Sequence, residues 1–460
     1  MSGQGTSTVR ILVVLFLGVL MAALDIAIVG PALPALREHY GLTERAVSWV
    51  FNVFVLFNLL GLPFMARLSD VMGRRRVYVA DVTLFAVGSL IVAAAPAFPM
   101  LLAGRALQGL GASGIFPVAS AVVGDVVAPS RRGRALGILG AVFGIAFIVG
   151  PILAGVLLLL GWQWLFIINV PLALVIIGLG WRALPDTVDE EGGRMDLPGI
   201  ATLGLMLVSF AFGINRIDTG AFLSSLTSAA VAPYLVMSLV LLPVFIRLER
   251  RSKKPLVRLE LFRNRQVAIV AALGMGAGLT EAAFVFMPGM AVQAFEVTKS
   301  SASFMLLPLV TAVAIGSPIA GRSIDRFGSR TITVVSTALL TVGLATMGLP
   351  ILTTTTFYAA SVLIGLGLSG ILGSSLSYIL LHESKAAERT VAQGIGTLSI
   401  SVGQLSGGAL IGAVVSSAAA GLSGYQSAFA GIAFVGVVLV GLSAMLKSRR
   451  RELEDAGHEE

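Results

Sequence analysis

Long apolar runs alternate with short polar connections along the whole chain. Runs long enough to cross about 30 Å of hydrocarbon as helix lie at 11–33, 47–66, 77–95, 99–123, 134–158, 163–181, 197–215, 227–247, 267–289, 301–321, 331–349, 356–380, 390–416 and 428–447. This pattern predicts an all-α polytopic membrane protein with fourteen transmembrane helices. An even count leaves both ends on the same side. Composition agrees: hydrophobic residues make up 56% of the 460 and charged residues only 12%, half the share of a soluble domain.

The basic residues orient the chain. Of 32 Lys and Arg, four fall in one set of loops (Arg37, Arg45, Arg216, Lys299), and Arg105 lies inside a predicted span. The other 27 occupy the N-terminus, the opposite loops and the C-terminal tail. Positive charge collects on the cytoplasmic side, so both termini are expected there, in a multi-pass protein of the cytoplasmic membrane. The net charge of +8 is thus a topology signal, and no nucleic-acid partner is expected. The first run is too long for a secretory signal and carries an acid in its middle. With no cysteine and three histidines, all outside the apolar runs, no metal site, thiol chemistry or cofactor is expected.

Residues 61–75 return at an offset of 255 as residues 316–330, with Gly61, Pro63, Arg67, Asp70, Gly73 and Arg75 repeated as Gly316, Pro318, Arg322, Asp325, Gly328 and Arg330. Residues 109–114 match 365–370, one position further on. Both of these read G-x-G-x-x-G, but neither follows a strand, so helix packing is the better reading than dinucleotide binding. The repeat implies two homologous six-helix halves, 1–181 and 266–447. Between them lies a linker with an inserted helix pair at 182–265, and residues 448–460 form a charged tail. Duplicated halves are the architecture of secondary transporters.

At this point the chain resembles the major facilitator superfamily. The loop Arg67-Leu68-Ser69-Asp70-Val71-Met72-Gly73-Arg74-Arg75-Arg76 is similar to its signature loop, with Ala66 and Val71 in place of the usual Gly and Arg. Leu101, Arg105, Gln108, Gly109, Gly111 and Ala112 match its helix-4 motif. Gly137, Ala146, Gly150, Pro151, Ala154 and Gly155 resemble the helix-5 motif that marks antiporters, and two of its glycines are alanine here. Leu24 to Val29 followed by Ala32-Leu33-Pro34 resembles the helix-1 motif of the fourteen-helix drug:proton antiporters. The resemblance implies a proton-coupled antiporter that exports amphipathic, cationic drugs or toxic compounds by alternating access.

Ionisable groups at mid-membrane are costly and mark function. Asp25, Arg105 and Glu281 stand clear of the helix ends and fall in one layer. Asp25 plus the repeat offset is Thr280, beside Glu281. Asp25 and Glu281 are therefore expected to flank one water-filled cavity as proton-coupling and substrate-binding acids, with Arg105 near Asp25. A permanently paired structural acid is the competing role. Asn52, Asn58, Gln108, Gln293 and Gln404 are candidate substrate contacts or interhelical hydrogen bonds. Asp70, Arg74, Asp325 and Arg330, at cytoplasmic helix ends, are expected to latch the two halves, with Asp81 and Asp125 as partners of those arginines. Gly140 and Gly144, Gly274 and Gly278, and Gly408 and Gly412 form close-packing seams rather than dimer contacts, so a monomer is expected.

No G-x-x-x-x-G-K-[ST], H-E-x-x-H or G-x-S-x-G string occurs, so an enzyme is not expected. Its partners are then protons, a small-molecule substrate and the lipid bilayer. The alternative is a proton-coupled transporter of a specific metabolite on the same fold.

Overall fold

In the computed structural model, residues 2–127, 129–185, 197–252, 256–383, 389–417 and 421–451 are described, and every regular element among them is helical. Hydrocarbon offers the backbone no hydrogen-bond partner, so a spanning segment must satisfy its own amides. The first half of the chain holds α1 (Ser2–Tyr40), α2 (Glu44–Val47), α3 (Trp49–Met72), α4 (Arg74–Ala93), α5 (Phe98–Val126), α6 (Pro129–Leu157), α7 (Trp164–Ile167) and α8 (Asn169–Ala183). Then follow α9 (Leu197–Asn215), α10 (Phe222–Leu226) and α11 (Ala232–Arg251). The remainder holds α12 (Arg265–Phe295), α13 (Lys299–Phe304), α14 (Leu307–Phe327), α15 (Ser329–Met347), α16 (Thr354–Gly370), α17 (Leu376–His382), α18 (Arg389–Ser417) and α19 (Leu422–Ser443).

Among the described residues, twelve helices are long and apolar enough to cross a membrane. The two other expected runs fall on α6, where the apolar stretch among the described residues is Gly144–Leu157, and on α16 and α17, which a π-helical turn at Ile371–Ser375 separates. Helix starts carry local caps where the chain leaves the apolar runs. Thr353 and Thr356 form a capping box at α16, and the Asn264 side chain accepts from the Gln266 amide at α12.

The chain divides into two compact units. The first comprises residues 1–42, 49–204 and 299–304; the second comprises 43–48, 205–298 and 305–460. The boundary falls inside α9, within the inserted pair. In the second unit Phe212 of α9 stacks on Tyr234 of α11 at 5.9 Å, and the Arg216 guanidinium lies over both rings. Cation–π contacts of this kind hold helices where salt bridges would be costly.

The sequence repeat is also a packing repeat. In the first unit α1 packs with α6, α3 with α5, and α4 with α5 and α8; in the second, α12 packs with α18, α14 with α16, and α15 with α16 and α19. Ser113 faces Gly61 as Ser369 faces Gly316, so each glycine leaves room for the hydroxyl of its partner helix. Gly73 and Gly328, at the helix junctions of the two signature loops, share positive φ (99° and 82°), the left-handed region that favours glycine. Gly274 and Gly278 lie against α18 as the expected seam, whereas Gly144 meets open space.

Candidate functional site

In the first unit, Asp25 of α1 and Arg105 of α5 are both fully buried and paired, Nη1 to Oδ2, at 2.6 Å. The guanidinium does more than neutralise the acid. Its Nε donates to the Val50 carbonyl of α3 at 3.0 Å, and Nη1 also donates to Oε1 of Gln108 at 2.8 Å. The charge sits 4.4 Å from the ring centroid of Phe54, with Phe166 at 5.9 Å. Oδ1 of Asp25 accepts from the Gln108 amide at 3.2 Å and from the Asn169 amide of α8 at 3.4 Å. Both amides also donate to Ser89 of α4, at 2.8 and 3.4 Å. Five helices therefore converge on one carboxylate.

An ionisable side chain at the centre of a spanning helix costs about 2.5–3.5 kcal/mol on insertion scales. Here that cost is offset by a buried ion pair whose remaining polar atoms are mostly satisfied, the condition under which such a pair survives. Arg105 Nη2 is the exception and makes no hydrogen bond.

The Asp25–Arg105 neighbourhood expected from sequence is thus present. Ser89 and Asn169 were not singled out, although each is a polar residue inside an apolar run, the signal that drew attention to Asn52. The helix-5 motif supports the same site. Gly150 of α6 abuts Ala27, two residues past Asp25, where a side chain would push α1 away. The Pro151 carbonyl accepts from Ser303 at 2.7 Å, and Gly155 lies against the Phe304 ring.

Arg105→Lys tests the geometry of the cluster. Lysine keeps the charge but replaces a planar fork with one ammonium on a flexible stem. It cannot hold the Val50 carbonyl and Asp25 as a rigid pair. The variant is expected to unfold at a lower temperature than wild type, and an unchanged melting temperature would show that charge alone suffices.

In the second unit, Glu281 of α12 is partly buried and takes a side-chain hydrogen bond from Gln404 of α18. These helices touch closely because Gly278, Gly403 and Gly407 lie directly against the backbone of the facing helix. Gln293 and Asn58 are partly buried, on α12 and α3. Asn52 is fully buried and neither its amide nitrogen nor its oxygen has a hydrogen-bond partner.

Near the cytoplasmic loop expected between α3 and α4, Arg74 binds Asp70 at 2.7 Å and Asp125 at 3.2 Å, and donates to the Ser69 hydroxyl at 3.2 Å. All four residues belong to the first unit. Arg330 is exposed at the start of α15, and the Asp325 side chain lies outside the described residues. The expectation that Asp81 serves these arginines is corrected. Its carboxyl turns into the packing of α5, and neither oxygen has a hydrogen-bond partner.

Comparison with known proteins places this arrangement. The Major Facilitator Superfamily profile matches residues 15–407 and, in an overlapping second match, 267–460. The uncharacterized MFS-type transporter YfiU of Bacillus subtilis (strain 168) is 31% identical over 390 residues, covering 84% of this chain and 75% of that one. The multidrug resistance protein Stp of Mycobacterium tuberculosis (strain CDC 1551 / Oshkosh) is 29% identical over 406 residues, 87% and 74% of the two chains. The riboflavin transporter RibZ of Clostridioides difficile (strain 630) is 25% identical over 342 residues, 74% and 73%. The crystal structure of the nucleoside transporter NupG shares the fold at a TM-score of 0.66 and 13% identity, covering 95% of this chain and 98% of that one.

Proposed function

The chain belongs to the major facilitator superfamily of membrane transporters, and we propose that it is a proton-driven antiporter exporting amphipathic, cationic compounds across the cytoplasmic membrane by alternating access. The observation that carries this reading is the Asp25 carboxylate, buried and shared between Arg105 and two side-chain amides. Protonation removes the charge that holds Arg105 and turns an acceptor into a donor, which weakens the contacts to Gln108 and Asn169 as well. One proton thereby loosens α1 from α5 and α8 together. Relatives named as multidrug resistance proteins support the choice of cargo.

Under this reading fourteen helices span the bilayer with both termini cytoplasmic, and the monomer is the working unit. Asp70, Arg74 and Asp125 form a cytoplasmic latch, with Asp325 and Arg330 its second-half counterparts. Glu281, supported by Gln404, contacts the cationic group of the substrate. Glu281→Gln is expected to impair efflux of cationic dyes more than of neutral ones; equal loss for both would assign the acid a structural or purely proton-carrying role.

Everted vesicles carrying the protein test the whole reading. Dye and antibiotic accumulation is expected to follow an imposed pH gradient and to collapse when the gradient is discharged. A second reading, a proton-coupled transporter of a defined metabolite, draws on the similarity to the riboflavin transporter. Gradient-driven movement of one metabolite, with no response to lipophilic cations, would favour it.

A further inference from the structure

One buried acid has no part in the site above. Asp81 of α4 is fully buried, and both carboxylate oxygens lack a hydrogen-bond partner. Gly114 of α5 lies so close that a Cβ there would overlap the Asp81 carboxyl, and the Met65 side chain of α3 closes over the same spot. Gly111, one turn earlier, backs onto the Asp81 and Phe85 backbone. The carboxyl is therefore wedged between helices, with no hydrogen-bond donor or ion-pair partner among the described residues.

The second half has the same wedge with different chemistry. Asp81 plus 255 is Ser336, and Gly370, the repeat partner of Gly114, lies against the Ser336 hydroxyl as Gly114 lies against Asp81. A niche that accommodates a neutral hydroxyl in one half holds a carboxyl in the other.

The elements packed on α4 are α3, α5, α7 and α8. Among their described side chains the charged groups are accounted for. Asp70 and Asp125 pair with Arg74 of α4 itself, and Arg105 pairs with Asp25. Arg182, near the end of α8, is not a hydrogen-bond partner of the Asp81 oxygens. Tyr78, one turn before Asp81 on α4, donates to the Val14 carbonyl at 3.2 Å. The Arg67 side chain lies outside the described residues, and α7 carries no ionisable residue.

A carboxylate anion fully buried between helices, with no hydrogen-bond donor among the described residues, is far less stable than the neutral acid. We propose that Asp81 is a second proton-binding site of this transporter, filled in the conformation seen here and emptied when α5 moves away from α4 at Gly114. The step is simple: the carboxylate takes one proton from water to become the acid, and returns it when the niche hydrates. It rests on the proton-driven reading given above and adds a proton carrier remote from the Arg105 ion pair.

The test titrates purified protein from mildly acidic to mildly alkaline pH, recording the protonated-carboxyl infrared band and the protons released. Asp81→Asn and Asp81→Ser are the comparisons; the serine variant reproduces the residue of the second half, so at least one is expected to stay folded, as read by monodisperse gel filtration. Wild type is expected to release one proton more than either variant and to lose a carboxyl band that they lack. Equal release, or a band that persists at every pH, overturns the proposal. In vesicles both variants are expected to lose the response of dye efflux to the pH gradient. If wild-type efflux itself ignores the gradient, the proton-driven reading falls, and the titration alone still decides whether Asp81 exchanges its proton.

Discussion

Asp25→Asn is expected to abolish gradient-driven efflux in everted vesicles while leaving a folded, membrane-inserted protein. The amide still offers an oxygen to Arg105, which also keeps the Val50 carbonyl and the Gln108 oxygen. What disappears is the group that can alternate between anion and acid. The variant also leaves a buried guanidinium without its counter-charge, and removing one member of a buried pair costs about 3–5 kcal/mol. A drop in thermal stability therefore accompanies the loss of transport, and the two effects can be separated. Adding Arg105→Gln removes the stranded charge and is expected to restore thermal stability without restoring efflux. Normal pH-driven transport by the single variant would refute the assignment of Asp25 as the coupling acid.

Gly278→Val is expected to have the largest effect on folding. Across the α12–α18 seam a Cβ at Gly278 would overlap the Ile400 carbonyl oxygen, and one at Gly403 the Met275 carbonyl oxygen. Backbone cannot swing aside as a side chain can, so the helices must separate. Overpacking of a tight interior costs about 1–3 kcal/mol, more where backbone must shift. Separation would also part Glu281 from Gln404, one turn away on each helix. Fluorescence-detected gel filtration is expected to show loss of monodisperse protein. Gly441→Val, on α19 where a Cβ meets nothing within 4 Å, is the matched control and is expected to behave as wild type. Equal behaviour of the two variants would show that the seam does not hold the second unit together.

Much of this architecture was legible because lipid imposes simple demands. An apolar run of twenty residues has few alternatives to a helix, and the repeat of residues 61–75 at 316–330 reappears as matched packing and as the positive φ of Gly73 and Gly328. Arg105 was legible for a related reason: a charge in an apolar run must find a partner, and Asp25 was the acid at the right depth. Asn169 and Ser89 escaped notice because many Ser, Thr and Asn residues sit in apolar runs. Only three-dimensional convergence separates those that meet a carboxylate from those that bond their own helix, as Thr333 and Ser361 do with carbonyls one turn back. Asp81 was misassigned for the same reason. Its place near a cluster of arginines pointed to an ion pair, but its rotation about α4 carries the carboxyl under Gly114.

The amino-acid order alone pointed to an all-helical membrane chain with an internal sequence repeat and to its family, because each follows from local hydrophobicity or from residues matched in register. The tertiary structure decided which buried charges are paired, which buried acid lacks a hydrogen-bond partner, and which glycines bear against backbone. Those properties depend on the rotation of one helix against another, and a rotation of a few tens of degrees turns the same residue from an ion-pair partner into a solitary acid.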